Sequence, residues 1–472
     1  MIEIGAVRRC GMVFGLALLS CGRAGAAETG QPDVAVDLRA LQEIAAANGG
    51  NRADATPGFE RSVEYVSERL RSLGYQVRVE EFTYPFNEER SPPRLFAGAA
   101  LSPAPEGEAR SFTYSGGGDV TAPLRAVDLG LSGDGPAQPS TSACEPADFA
   151  GFERGAIALV RRGTCPFFVK VQNAIAAGAV GVVAMNEGTA GQTDSFTASL
   201  GRPTAIPVVG VSYGYGVSLA EKANKAEEAT ARLIVDIVTT TRASKNVVAE
   251  TPAGDDRRPV AVVGAHLDSV RDGPGLNDNG SGVAAVLAAA ANLAGDPPAS
   301  GGLRVRFGFW GAEEVGLLGS RNYVSRLSEE ERKRIALYVN LDMVGSRNFA
   351  RLVLADPEVE GVAATAARAM LDHFAGRSLP AERRGLGPLG AFSTDMASFK
   401  GRGIPTIGLY TGSAELKRED QVAAFGGTAG QPHDTCYHRA CDTIANVNAA
   451  VVEELSGALT AAIRAAVQEA PQ

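Results

Sequence analysis

In the stretch VVGAHLDSVRDGPGLNDNGSG, residues 262–282, an apolar run empties into His266, one of four histidines in the chain. Asp268 and Asp278 follow within a Gly- and Asn-rich loop. Strands ordinarily end in turn residues. A histidine at a strand end followed by acids is the pattern of a divalent-metal site, because imidazole nitrogen and carboxylate oxygen are donors that such ions take. Two further apolar runs end in the same way. LRVRFGFWGAEEVGLLGS puts Glu313 and Glu314 just past Trp310, and LYVNLDMVGS puts Asp342 between Leu341 and Met343. Ordinary solvated loop acids do not sit side by side in apolar stretches. Crowded carboxylates raise one another's pKa unless cations lie among them, and a divalent metal resolves that conflict.

A remaining ligand should come from another histidine. His373 falls on an amphipathic helical stretch and is expected to be a bystander. His433 and His438 flank DTCY. His438 is favoured, because it lies inside the ring that a Cys436–Cys441 disulfide would close, and ligands need rigid support.

The elements that must hold these groups alternate. Strand-like RPVAVVGAH leads to helical SGVAAVLAAAANLAG, then strand LRVRFGFW, helical SRLSEEERKRIA and strand LYVNLDM. A helix near 357–375, the strand IPTIGLYT and a helix at about 449–467 complete the series. Such alternation predicts an α/β fold with a mostly parallel central sheet sandwiched by helices. Open parallel sheets put their ligand crevice at the carboxyl ends of the strands. His266, Asp268, Asp278, Glu313, Glu314 and Asp342 should therefore converge in space.

Upstream, residues 32–115 read as the first segment of the same unit. Val63, Val66 and Leu70 repeat at helical spacing, Gly74 breaks the helix, and LGYQVRVEEF alternates like a strand. Residues 116–240 change character, with turn-rich stretches between GAIALVRRG, VGVVAM and IPVVGVS and one helix, FFVKVQNAIAAGA. They read as an inserted small β-rich module. Residues 241–472 return to the first pattern and carry the site.

The chain has 472 residues, 45% hydrophobic and 21% charged, which suits a soluble protein of two or three domains. A net charge of −9 excludes the basic footprint of a nucleic-acid binder. Arg8 and Arg9 precede an apolar run at 11–19 that is too short to span a membrane, and small residues follow at 24–27. Residues 1–27 thus read as a secretory signal, with no integral span in the mature chain. LLSC, ending at Cys21, also resembles a lipobox and offers a lipid anchor as the alternative. Either route leads out of the cytoplasm, to the periplasm, the outer membrane or the medium. Four cysteines follow the signal, Cys144, Cys165, Cys436 and Cys441. In an oxidising compartment the local pairs Cys144–Cys165 and Cys436–Cys441 are expected.

Taken together, GAHLDS, PGLNDNGSG, FWGAEEVGLLGS, NLDMVG and GGTAGQPHDTCYHRACDTIANVN resemble the co-catalytic dizinc aminopeptidases, the group of secreted bacterial leucine aminopeptidases and vacuolar aminopeptidase Y. GAIALVRRGTCPFFVKVQNAIAAGAVGVVAMN resembles the protease-associated domain often inserted in them. The resemblance implies two zinc ions bridged by Asp278. His266 and Asp342 would complete one ion, and Glu314 and His438 the other, while His433 matches no ligand. It makes Glu313 the general base and Asp268 the acid that orients His266. Tyr437 would donate to the developing oxyanion. The substrates implied are peptides with a free N-terminus, their α-amino group near Glu313 and Asp342, with an apolar preference. Met343 and Tyr410 are candidates for the specificity pocket, with packing as their other reading. Relatives often follow the acid of STDMASF with Arg or His. Here Met396 follows Asp395, so an amino-terminus contact there is expected to differ. No calcium site is expected after NVNAA.

The same ligands would serve a carboxypeptidase or dipeptidase. A carboxypeptidase needs pocket arginines for the substrate carboxylate, and Arg347 and Arg384 have no assigned place in the sequence pattern. A receptor-like relative would have lost ligands, and glutaminyl cyclisation would use a single zinc. The complete ligand set argues against both.

Overall fold

The VAVVGAH run forms the strand Val260–His266, buried at every residue, as a strand covered on both faces must be. It lies within a block of four adjacent parallel strands, in the order Thr406–Tyr410, Ile335–Leu341, Val260–His266 and Arg304–Trp310. This computed structural model describes residues 33–131, 140–189, 192–225, 229–251, 257–294, 302–386 and 394–469. The expected signal, with Cys10 and the Cys21 lipobox, lies outside the described residues.

The parallel block is flanked by antiparallel strands, Leu352–Leu354 beside Thr406–Tyr410 and Thr230–Glu250 beside Arg304–Trp310. Helices cover both faces unequally. Gly282–Leu293 is apolar all round and buried over nearly its whole length, which suits a helix caught between a sheet and other helices. Val34–Ala47, Pro57–Ser72, Gly361–Ala375 and Ala449–Gln468 share one core with it. Thr56 caps the second of these by accepting from the Phe59 amide, with Pro57 opening the helix. On the opposite face the shorter helices Leu318–Arg326 and Met396–Lys400 pack around Trp310, Tyr323, Tyr338 and Phe399. There the Tyr338 and Phe399 rings stack at 3.6 Å.

The stretch expected as one helix, SRLSEEERKRIA, is two. Leu318–Arg326 stops at Leu327, and Ser328 starts Glu329–Arg334 through a capping box with Glu331.

The inserted module has its own parallel strands, Ile157–Arg161, Gly181–Met185 and Val208–Val211. Among its described residues it carries two α-helices rather than the one expected, Phe167–Ala177 and Tyr213–Ala223. The glycines of YGYGVSLAEKA hid the second. Gly216 is needed because a Cβ there would lie 2.2 Å from that of Met185, and Ser212 caps the helix at the Tyr215 amide.

Two long strands, Gln76–Ala97 and Thr230–Glu250, pair antiparallel from Gln76 opposite Glu250 to Ala97 opposite Ala231 and carry the chain between body and module. The boundary expected at 240 falls inside the second of them. Disulfides join Cys144 to Cys165 and Cys436 to Cys441. Among the described residues no helix is long and apolar enough to cross a membrane.

Candidate metal centre

Strand register brings the acids together. Trp310 pairs with His266, so the turn holding Glu313 and Glu314 leaves its strand beside the histidine. Asn340 pairs with Gly264 on the other side, which brings Asp342 to the same edge. His266 is 1% exposed. Its Nε2 lies 3.0 Å from Asp278 Oδ1 and 3.4 Å from Asp342 Oδ1. The second oxygen of Asp278 turns the other way. Asp278 Oδ2 lies 3.2 Å from His438 Nε2, which is also 3.1 Å from Glu314 Oε2. One carboxylate thus faces two histidines with different oxygens.

Ligand-type atoms of His266, Glu313 and Asp342 fall within 4.8 Å of one another, as do those of His266, Asp278 and Glu314. By the closer contacts, His266 lies between one oxygen of Asp278 and Asp342, whereas His438 lies between the other oxygen and Glu314. Glu313 stands beside the first group.

Three residues outside the expected set, Arg52, Asp434 and Asp442, fix the loop that presents Asp278. Arg52 is wholly buried. Its guanidinium donates to the carbonyls of Leu267 (2.5 Å), Pro274 (3.0 Å) and Gly275 (2.7 Å). Gly275 itself sits at φ +64, where a Cβ would also meet the Asp278 carbonyl at 2.4 Å. Asp442 accepts from the amides of Asn277 (2.9 Å) and Asp278 (3.0 Å). Its neighbour Asp434 accepts from Asn277 Nδ2 and from the Cys436 amide, tying the Cys436–Cys441 loop to the same segment. Nothing in GGNRADA marks Arg52 from sequence. Asp434 and Asp442 do sit in the histidine-bearing motif, which could have flagged them.

Asp268 sits beside His266 and holds more than that histidine. The His266 Nδ1 partner at hydrogen-bond distance is the Asp268 backbone carbonyl, at 3.1 Å, while the nearest carboxylate oxygen is 3.7 Å away. The carboxylate instead accepts from the amides of Glu313 (3.1 Å) and Glu314 (3.2 Å). Those two N–H groups are unpaired donors at a strand end, and they draw the carboxylate towards themselves. Asp268 therefore positions the two glutamates through its carboxylate, and His266 through its main-chain carbonyl with the carboxylate charge close behind.

The cluster opens into a cavity of about 720 Å³. Met343, Tyr410 and Tyr437 line it, and Tyr437 stacks on His438 at 3.9 Å. Asp395, expected at the substrate, is fully buried and does not reach the cavity wall, although Thr394 does. It precedes the Met396–Lys400 helix, buried close enough to the cluster for its charge to act on Glu313. Arg384 lines the cavity, and Arg347 is not among the lining residues. His433 is buried and donates through Nδ1 to the Asn348 carbonyl. His373 lies on the Gly361–Ala375 helix beside Arg377. Neither touches the cluster.

Electrostatics favour cations here. Burial pushes the Glu313 carboxyl well above the glutamate range, and burial with Asp278 nearby pushes Glu314 up to about 7. Burial opposes protonation of His266, yet Glu313 and Asp342 draw it well above its usual value. Buried Glu314 Oε1 and Asp342 Oδ1 have no hydrogen-bond partner. Orphaned oxygens among histidine nitrogens are a donor set that suits zinc.

Residues 246–463 match peptidase family M28, and residues 120–219 match the PA domain. An aminopeptidase of Pseudomonas aeruginosa is 42% identical over 434 residues, covering 89% of this chain and 78% of its own. The probable lipoprotein aminopeptidase LpqL of Mycobacterium tuberculosis is 36% identical, covering 87% and 80%. Among solved structures, an aminopeptidase from Aneurinibacillus sp. strain AM-1 superposes with a TM-score of 0.73 at 26% identity, over 94% of this chain and 97% of that one. The zinc aminopeptidase BSAP from Bacillus subtilis gives 0.64 at 25% identity, over 93% and 97%.

Proposed function

The chain belongs to peptidase family M28 and carries an inserted PA domain, and from that premise we propose an exported aminopeptidase working with two zinc ions and Glu313 as general base. The observation that carries the two-ion reading is the split of Asp278, one oxygen at His266 and the other at His438. A carboxylate so placed is suited to bridging. His266 and Asp342 would complete one zinc site, and Glu314 and His438 the other. Zinc held there supplies Lewis acidity, lowering the pKa of a water and polarising the scissile carbonyl.

The chain's own groups do the rest. Glu313 is 8% exposed and anchored through its amide on Asp268. It takes the proton of the attacking water and passes it to the leaving amine. Tyr437, at the cavity wall, donates to the oxygen on which charge develops. The free α-amino group of the substrate binds at Glu313 and Asp342, which confines cleavage to the first peptide bond. Met343 and Tyr410 on the wall support a preference for apolar N-terminal residues. Export is supported by the signal-like N-terminus and by the lipoprotein relative.

A panel of aminoacyl chromogenic amides and their N-blocked forms, assayed with and without chelator, tests this reading. Hydrolysis of free but not blocked substrates, abolished by chelation and restored by zinc, is expected. Equal hydrolysis of blocked substrates would overturn the requirement for a free N-terminus, and cleavage confined to peptides with a free C-terminal carboxylate would point instead to a carboxypeptidase.

A further inference from the structure

The cavity has a second end. Among the described residues that line it, Arg384 and Glu415 are the charged groups outside the metal cluster and its base. Sheet register shows how they relate to the metal edge. Asn340 pairs with Gly408, Gly408 with Leu354, and Leu354 with Arg384. Residues paired across strands present their side chains on one face. Asn340, Leu354 and Arg384 all line the cavity, so this row is one of its walls. Asn340 lies two residues before Asp342 on its strand. Three strand spacings separate it from the Arg384 strand, about 14 Å between backbones. Between the two ends the wall is uncharged, with Met343, Leu354, Thr394 and Tyr410.

Glu415 is held by its own turn. Its Oε2 accepts from the Ser413 amide (2.9 Å), Ser413 Oγ (2.7 Å) and Tyr410 Oη (3.1 Å). Its Oε1 faces Arg384 Nη1 at 3.8 Å, with both side chains a little over one-third exposed. The carboxylate therefore keeps its place whether or not the arginine is present. Each member of the pair offsets the other's charge at the far end of the cavity.

Resting on the aminopeptidase reading, we propose that Arg384 and Glu415 close the pocket for the side chain of the released residue, and that their mutual neutralisation selects a long uncharged side chain there. A lysine or arginine side chain reaching this end meets the guanidinium, and a glutamate side chain meets the carboxylate. Discrimination is thus exercised by repulsion as much as by apolar fit. Removing one member should hand the pocket to substrates of the charge it used to repel.

The experiment compares kcat/KM for leucyl, lysyl and glutamyl amides in the zinc-loaded wild type, Arg384→Gln, Glu415→Gln and the double variant. Arg384→Gln should raise the lysyl-to-leucyl ratio about tenfold, and Glu415→Gln the glutamyl-to-leucyl ratio about tenfold. The double variant should return both ratios to within about threefold of wild type. Arg384→Lys keeps the charge and should leave the ratios in place, which guards against a fold defect. Ratios unmoved in both single variants, with unfolding curves overlaying wild type, would overturn the proposal. So would a shift seen only when the charge lies one residue downstream of the scissile bond. A wild type that hydrolyses no free leucyl amide would sink the aminopeptidase reading and this one with it, a failure distinct from unmoved ratios.

Discussion

His266 and His438 face the two oxygens of one aspartate, yet the molecule builds its two sides by different means. His266 ends a buried parallel strand that has paired strands on both sides, and is 1% exposed. His438 has 39% of its side chain exposed and sits at φ +57, inside a loop closed by a disulfide between residues five apart. The first side is held by backbone hydrogen bonds that the sheet makes in any case. On the second side Glu314 leaves a strand end, but His438 itself has no strand beneath it. It depends on a covalent ring, on Asp434 and Asp442, and on the stacked Tyr437. A sheet edge can thus carry one histidine of the cluster, while a stapled loop brings the other to it.

The largest effect should come from removing either histidine. His266→Ala and His438→Ala should both abolish turnover, but metal content after exhaustive dialysis should separate them. His438→Ala is expected to keep one tightly held equivalent, because the sheet side is untouched. Two tight equivalents remaining would take His438 out of the ligand set. His266→Ala should lose the ion on the sheet side. Retention of both ions there would remove the distinction between the sides.

Glu313→Gln comes next and leaves both sides standing. It should bind both zincs, unfold at the wild-type temperature, and lose on the order of 10²–10⁴ in kcat by removal of a proton acceptor. Wild-type turnover would overturn the base assignment. Tyr437→Phe keeps the ring that stacks on His438. It should lower kcat about 10²-fold with metal content unchanged. A loss of zinc in that variant would show that the tyrosine supports the exposed side rather than the reaction.

The contrast between the two sides also explains what could be read from sequence. The strand ends at His266, Trp310 and Asp342 were legible because apolar runs that stop at acids report both an element and its edge. The parallel order then places those edges together. Arg52 was not legible. Its whole role lies in carbonyls 215–223 residues further along the chain, and a polar stretch before a helix looks the same with or without them. Asp395 is buried near the cluster and is not among the cavity-lining residues, a depth that the opening of a short helix does not reveal in sequence. Asp268 lies beside His266 as expected, with its carboxylate 3.7 Å from Nδ1, but its further partners, the Glu313 and Glu314 amides, were not legible, since local spacing says nothing about which amides a neighbouring strand end leaves unpaired. The module's second helix was masked by glycines whose purpose is close packing on Met185.

The smallest effect expected is the most direct test of the staple. Replacing both Cys436 and Cys441 by serine opens a short ring whose closure constrains the unfolded chain by about 2 kcal/mol. Asp434 still accepts from the residue 436 amide, and Asp442 still holds the Asn277 and Asp278 amides, so the loop should loosen rather than leave. Zinc competition titration should then show affinity on the His438 side falling 10- to 100-fold, the range typical of losing support behind a ligand. The His266 side should stay as tight as in wild type, and added zinc should recover activity. Serine in place of Cys144 and Cys165 supplies the control, because that disulfide lies in the inserted module and holds no ligand loop. Equal weakening of both ions in the Cys436/Cys441 variant would mean that the two sides are coupled through Asp278 so strongly that neither can loosen alone, and the division of labour between sheet and loop would fail.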